Sequence, residues 1–182
     1  MKIIVQRVKE SSVKVDGKIV GQSGYGYLLL VSFTSGDNEK VIDYMVNKVC
    51  NLRIMDDSDG VMNKSILDVK GNILSISQFT LYGDSRKGNR PSYVKALRGD
   101  EAIKLYNKFN EKLSSFVHVE TGIFGENMEI MITGNGNRSG LIWKEILQNY
   151  IRMFVLKNQM EKLFGNLVSI VGLQIKCLNM EN

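Results

Sequence analysis

The chain of 182 residues, 43% hydrophobic and 24% charged with a net charge of +5, is most simply one globular domain around a single core. No apolar run approaches the ~18 residues a membrane span needs, and Lys2, Arg7, Lys9 and Glu10 interrupt any secretory h-region, so a cytoplasmic protein without a membrane partner is expected. Two cysteines, Cys50 and Cys177, give no disulfide framework, and one histidine cannot assemble a site rich in His and Cys, so no metal and no cofactor are expected.

In chain order, the first 35 residues read as a β-hairpin and a third strand. Val13-Lys14-Val15 and Ile19-Val20 flank Asp16-Gly17, a dipeptide suited to tight hairpin turns. Tyr27 to Val31 is a continuous apolar run, as in a strand buried on both faces. Gly36-Asp37 then opens a helix whose stripe is Val41, Ile42, Met45, Val46 and Val49. A second helix begins near Asp100 and presents Ala102, Ile103, Tyr106, Phe109, Leu113 and Phe116 on one side. Strands are predicted around His118–Phe124 and Met128–Thr133. This mixed order argues for an α+β layered domain over residues 1–140. From Leu141 to Phe164 the apolar residues recur at helical spacing, so residues 141–182 read as a helical tail docking on the domain or on a partner subunit.

Between these elements lies the stretch that points to a site. Ile73 to Ile76 is an apolar strand delivering Ser77-Gln78-Phe79-Thr80-Leu81 to its end, and Gly83 and Gly88 then break into a loop with the chain's only proline, Pro91. Strand ends with convergent hydroxyls, amides and free N–H groups are frequent places of binding and chemistry; an ordinary polar strand edge is the plainer alternative. Arg86, Lys87, Arg90, Lys95 and Arg98 fall within thirteen residues that contain no acid. Such a patch suits a polyanion such as RNA, or is a solvated face.

Familiar hydrolytic groups are scarce. His118, between Val117 and Val119, reads as a structural or surface histidine rather than part of a Ser-His-Asp triad. Cys50 lies on or beside a helix stripe and reads as packing. Asp56, Asp57 and Asp59 sit in a turn-like segment with Gly60 and read as solvated loop, without calcium-loop spacing. Arg7, on an otherwise apolar strand, demands a buried partner or an edge position.

The chain resembles the D-aminoacyl-tRNA deacylases. The likeness is carried by Met1 to Val8, Asn51-Leu52-Arg53-Ile54, Asn63-Lys64-Ser65, Ser77 to Leu81, Lys87 to Ser92, and Thr121-Gly122-Ile123-Phe124-Gly125 with Met128, over residues 1 to about 133. The resemblance implies a homodimer of that fold acting on the aminoacylated 3′ end of tRNA, with Ser77, Gln78, Phe79 and Thr80 lining the catalytic site. It implies that Phe124 and Met128 surround the terminal adenine and that Arg7 braces a chirality-checking loop. Gly122 and Gly136 join the substrate-binding set, and Arg86, Lys87 and Arg90 are expected to meet tRNA phosphates. Catalysis in that family is described as RNA-assisted, which fits the scarcity of acids and bases: the substrate brings a vicinal 2′-hydroxyl next to its activated ester. Thr80 is a candidate nucleophile, or its hydroxyl orients the ester or a water.

One departure stands out. Family members carry an Asn-x-Gly-Pro-x-Thr motif whose cis Gly-Pro dipeptide enters the partner's site and checks chirality; here the aligned residues are Gly134-Asn135-Gly136-Asn137-Arg138-Ser139. A cis bond before a non-proline residue costs roughly 2.5–4 kcal/mol against ~0.5–1 before proline. Reduced discrimination, with some L-aminoacyl- or glycyl-tRNA also cleaved, or else weak activity overall, is therefore expected. A tRNA-end-binding homologue without turnover, and a small-ester hydrolase, are the rival readings.

Overall fold

The computed structural model describes residues 1–86 and 88–134 in full, and the backbone of 141–144, 154–155 and 176–177. Strand β1 (Lys2–Val15) is the spine. It turns through Asp16 and Gly17, with φ of 50° and 75°, into β2 (Lys18–Ser23), pairing Val15 with Lys18 as the Asp-Gly signal predicts. Strand β3 (Gly26–Ser32) runs antiparallel to the first half of β1. All seven of its residues are buried, as a continuous apolar run should be.

Helix α1 (Glu39–Asn51) follows, and its cap is Asn38, one residue beyond the predicted Gly36-Asp37 opening. The Asn38 carboxamide accepts from the N–H groups of Lys40 and Val41, at 3.0 and 3.4 Å. Asp37 instead accepts from the Thr34 N–H at 2.8 Å and fixes the turn ahead of the helix. A small hairpin, β4 (Met55–Asp56) and β5 (Met62–Lys64), precedes β6 (Asn72–Ser77), which lies parallel to β3. Helix α2 (Gly99–Ser114) carries the chain to β7 (His118–Thr121), parallel to β6. Strand β8 (Glu129–Gly134) returns antiparallel along the second half of β1.

The period-two alternation of the strands separates two cores. Ile3, Val5, Tyr27, Leu29, Val31 and Ile73 face the helices and meet Ile42, Met45, Val49, Tyr106, Phe109 and Leu113. Ile4, Val8, Val13, Leu28, Leu30, Leu74, Ile76 and Ile130 fill the other face, inside the curl of a nearly closed, barrel-like sheet. Gly21 shows how tightly the curl closes: a Cβ there would stand 2.5 Å from the Thr121 carbonyl oxygen. On α2 the expected stripe is corrected at two places. Ile103 is exposed, Phe116 falls exposed beyond the helix end, and Asn110 takes an inward position.

The tail reading is corrected where it can be compared. Leu141–Lys144 is a strand, β9, paired antiparallel with Lys2–Val5 of β1, and Phe154–Val155 (β10) pairs with it. Lys176–Cys177 (β11) lies parallel to β8. The Leu141-Ile142-Trp143 run fits either period, and the open backbone edge of Lys2–Val5 offers hydrogen bonds that a local helix would forgo. The rest of the predicted tail helix lies outside the described residues.

Arg7 sits in the helix-side core, 1% exposed, where its Nη1 and Nη2 donate to both carboxylate oxygens of Asp56 at 2.9 and 2.5 Å. The hydrogen-bonded carboxylate raises the guanidinium pKa further. Asp56 is thus not part of a solvated acidic loop, and breaking this pair would leave a buried cation at a cost of about 3–5 kcal/mol. Asp57 does form a turn, accepting from the N–H groups of Asp59 and Val61 at 3.0 and 2.9 Å.

Candidate active site at the carboxyl ends of the parallel strands

The parallel set β3–β6–β7 ends in a cleft of about 540 Å³. Its walls come from four places, one of them the stretch from Tyr93 to Ala102 that leads into α2. Val31, Ser32 and Phe33 close β3, Ser77 to Thr80 close β6, and Phe124 to Met128 form the corner between β7 and β8. Carboxyl ends of parallel strands favour ligands because the chain there turns away and leaves backbone groups unpaired.

At the end of β6 the backbone leaves the sheet as a 3₁₀ turn over Phe79–Tyr82. The Gln78 N–H still donates to the Val31 carbonyl at 2.7 Å, the last rung of the parallel ladder. Leu81 and Gly83 close the turn onto the carbonyls of Gln78 and Thr80, at 3.3 and 2.8 Å. The N–H groups of Phe79 and Thr80 begin the turn and therefore have no carbonyl within it to bind. Gln78 is buried, and its Nε2 donates to Thr80 Oγ1 at 2.7 Å, which fixes the threonine rotamer. Lys2 Nζ donates to the Leu81 carbonyl at 2.7 Å and stands 4.3 Å from the Tyr82 ring centroid, holding the turn against β1.

The β7–β8 corner supplies the apolar wall. Phe124 packs on Tyr106 with ring centroids 5.8 Å apart. The Tyr106 hydroxyl donates to the Ser75 carbonyl at 2.8 Å, and burial pushes its pKa up. Helix α2 thus ties the Phe124 ring to the strand that carries Ser77. Gly122 does not line the cleft. A Cβ there would stand 2.4 Å from Met128 Sδ and 3.1 Å from Ile76, so this glycine makes room for the methionine that does line it.

The structure therefore gathers Ser77, Gln78, Phe79, Thr80, Phe124 and Met128 in one hollow. Arg7 lies outside it, in the core beside Asp56. Gly136 and Lys87 are outside the described residues. Arg86 is exposed and paired with Asp84 at 2.5 Å, and Lys95 stands 3.9 Å from the same carboxylate, whose pKa falls well below the usual range through the Arg86 hydrogen bonds. The basic loop is therefore less positive than residues 86–98 alone suggest. Arg90 is exposed and makes no ion pair with a described residue.

Sequence reasoning assigned no site role to Tyr93, Glu126 or Asn127, which also line the cleft. For Tyr93 the signal was present, an aromatic two residues after Pro91 in a basic loop. Glu126 follows the matched Thr121–Gly125 motif and, among the described residues, is the only carboxylate lining the cleft. The other titratable candidates are elsewhere. His118 is exposed beside Glu120 at 3.3 Å, at the opposite end of β7. Cys50 is buried, and burial pushes its thiol up to about 11. Among the described residues no cluster of His, Cys, Asp and Glu could hold a metal ion, and no helix is long and apolar enough to cross a membrane.

Comparison with known proteins bears on this geometry. The family model described as D-Tyr-tRNA(Tyr) deacylase matches residues 4–141. The chain is similar to the solved c-Myc DNA Unwinding Element Binding Protein, at 32% identity and a TM-score of 0.75, over 81% of this chain and 100% of that one. It also shares its fold with a probable eukaryotic D-amino acid tRNA deacylase, at a TM-score of 0.63 and 16% identity, over 74% of this chain and 94% of that one.

Proposed function

The chain belongs to the D-Tyr-tRNA(Tyr) deacylase family, and from that premise we propose that it hydrolyses the ester of D-aminoacyl-tRNA, freeing the D-amino acid and the tRNA. The observation that carries this reading is the cleft itself: Gln78, Phe79 and Thr80 at a strand end share it with Phe124 and Met128, and among the described residues neither histidine nor cysteine lines it.

An aromatic ring and a thioether suit the flat face of the terminal adenine. With the base held there, the 3′-ester lies toward the 3₁₀ turn. The N–H groups of Phe79 and Thr80 are then the natural donors to the oxyanion that forms as water attacks the ester carbonyl; one such donor contributes about 2.7–4 kcal/mol to the transition state. The substrate's vicinal 2′-hydroxyl orients the water at high effective concentration, so that the protein's task is placement. Thr80, whose oxygen accepts the Gln78 Nε2 hydrogen bond, fits an orienting hydroxyl better than a nucleophile, since no histidine is among the described residues that line the cleft with it. Exposed Arg90 suits the phosphates of the tRNA end. A homodimer and a cytoplasmic location belong to the same proposal.

Selectivity follows from the sequence after Gly134. Asn137 in place of the family's proline disfavours a cis bond, so the block against L side chains is loosened and glycyl-tRNA and some L-aminoacyl-tRNA are accepted. The test is incubation with D-tyrosyl-, L-tyrosyl- and glycyl-tRNA, following ester loss. Rapid loss of the D ester with measurable loss of the other two is expected. No loss above the spontaneous rate for any substrate would overturn the enzymatic reading, and strict D-selectivity would overturn the relaxed one.

A second reading is a nucleic-acid-binding relative without turnover. Asn137 favours it, as does the 32%-identical protein whose name assigns it to a DNA unwinding element. Salt-sensitive tRNA binding without release of free amino acid would select this reading.

A further inference from the structure

We propose that the Phe79–Tyr93 ring pair at the mouth of the cleft, with Val94 beside it, is a stacking platform for the nucleobase that precedes the terminal adenosine. This rests on the reading of the cleft as the site of a tRNA end.

Phe79 lines the cleft yet is 57% exposed, and Val94 is 91% exposed. Single exposed apolar residues are ordinary, but these flank a fixed aromatic ring in a basic loop. Phe79 and Tyr93 meet edge to face, with centroids 5.2 Å apart and planes at 71°. The Tyr93 ring is seated over Gly83, where an added Cβ would come within 3.1 Å of it. Asp84 and Ser92 exchange two backbone hydrogen bonds of 2.9 Å that close the loop. Beyond it, Leu97 N–H binds the Phe33 carbonyl at 2.9 Å and Thr34 Oγ1 donates to the Lys95 carbonyl at 2.5 Å. The rings are thus held in place before any ligand arrives.

Charge decides the occupant. Residues 84–98 hold five basic side chains against one acid, Asp84. Asp84 pairs with Arg86 and stands 3.9 Å from Lys95, while Arg98 stands 3.6 Å from Asp100, so the strip stays net positive with Arg90 free of any ion pair to a described residue. A basic strip interleaved with aromatic faces is the arrangement that grips single-stranded nucleic acid, with bases on the rings and phosphates on the cations. A hollow of about 540 Å³ suits one nucleoside with its aminoacyl group, so the preceding nucleotide must lie over the rim. Phe79 and Tyr93 stand on the cleft wall beside the 3₁₀ turn, and the exposed Arg90 belongs to the same loop as Tyr93.

The experiment compares two non-hydrolysable ligands, the D-tyrosyl 3′-amide of adenosine monophosphate and the same group on a cytidine-cytidine-adenosine trinucleotide. Affinities are measured by calorimetry over a range of salt. The wild type is expected to bind the trinucleotide at least twentyfold more tightly than the mononucleotide. Phe79→Ala removes about tenfold of that gain with the salt slope unchanged, and Tyr93→Leu and Val94→Ser remove smaller parts. Arg90→Ala removes part of the gain and lowers the salt slope by about one. A gain that survives Phe79→Ala and Tyr93→Leu, or no gain in the wild type, overturns the platform. Sedimentation of Phe79→Ala that shows a dimer turned monomer assigns the patch to a second copy of the chain and overturns it too. If neither ligand binds the wild type, the reading of the cleft has failed as well.

Discussion

Two hollows of similar size lie at opposite ends of the same three parallel strands, about 540 Å³ at the carboxyl ends and about 610 Å³ at the amino ends. The amino-end hollow holds Asn72, Glu10, several serines and the chain's one histidine. On residue types alone it looks the more chemical of the two. Yet its polar groups answer one another: Ser11 meets Ser23 at 2.9 Å, Thr133 donates to Glu10 at 2.8 Å, and His118 stands by Glu120. The carboxyl end differs in kind. There the backbone turns out of the sheet, two N–H groups begin a 3₁₀ turn without internal partners, and the Phe79 ring stands open to solvent. Volume does not separate the two hollows; the 3₁₀ turn and the exposed Phe79 ring do.

The largest expected effect falls at the amino end and concerns folding. Gly26, with φ of 155°, starts β3 so close to β6 that a Cβ would stand 1.9 Å from the Asn72 carbonyl oxygen. Gly26→Ala should cost more than ~4 kcal/mol, seen as loss of soluble protein or collapse of the urea midpoint. A normal midpoint would show that this end tolerates the repacking the comparison denies. Next, Phe124→Ala should lower kcat/KM for D-tyrosyl-tRNA by about thirtyfold, in line with base stacking of roughly 1–3 kcal/mol. His118→Ala should leave kcat/KM within about twofold. The reverse ranking would move the chemistry to the other hollow. Smallest is Thr80→Val, about tenfold, the loss of one orienting hydrogen bond. A fall on the order of 10⁴-fold would instead make the hydroxyl the nucleophile.

Much of the fold could be read in advance, for reasons that differ by element. Asp16-Gly17 between alternating strands allows one turn geometry, and Tyr27 to Val31 has no polar face to expose. The stripes of α1 and α2 placed both helices. Reading failed where the deciding partner was distant in sequence. Leu141–Lys144 became a strand because β1 offered it an edge. Asp56 resembled its neighbours Asp57 and Asp59 until Arg7, 49 residues earlier, claimed it. Of the site, Ser77 to Thr80 was legible as polar groups at a strand end, whereas Phe124 and Met128 would have passed for core without the family resemblance.

The order and type of the elements up to Gly134 and the basic loop after Gly83 are mostly local matters, set by residue chemistry and period, and the amino-acid sequence alone made them legible. The candidate site was placed at the end of Ile73–Ile76 from the sequence, but how far His118 lies from it was decided only in three dimensions. His118 lies beside Asn72, about five residues or roughly 16 Å along the sheet from Ser77, because β6 and β7 run parallel in that register. Direction and register arise from packing two helices against one curled sheet, and no short stretch of sequence encodes them.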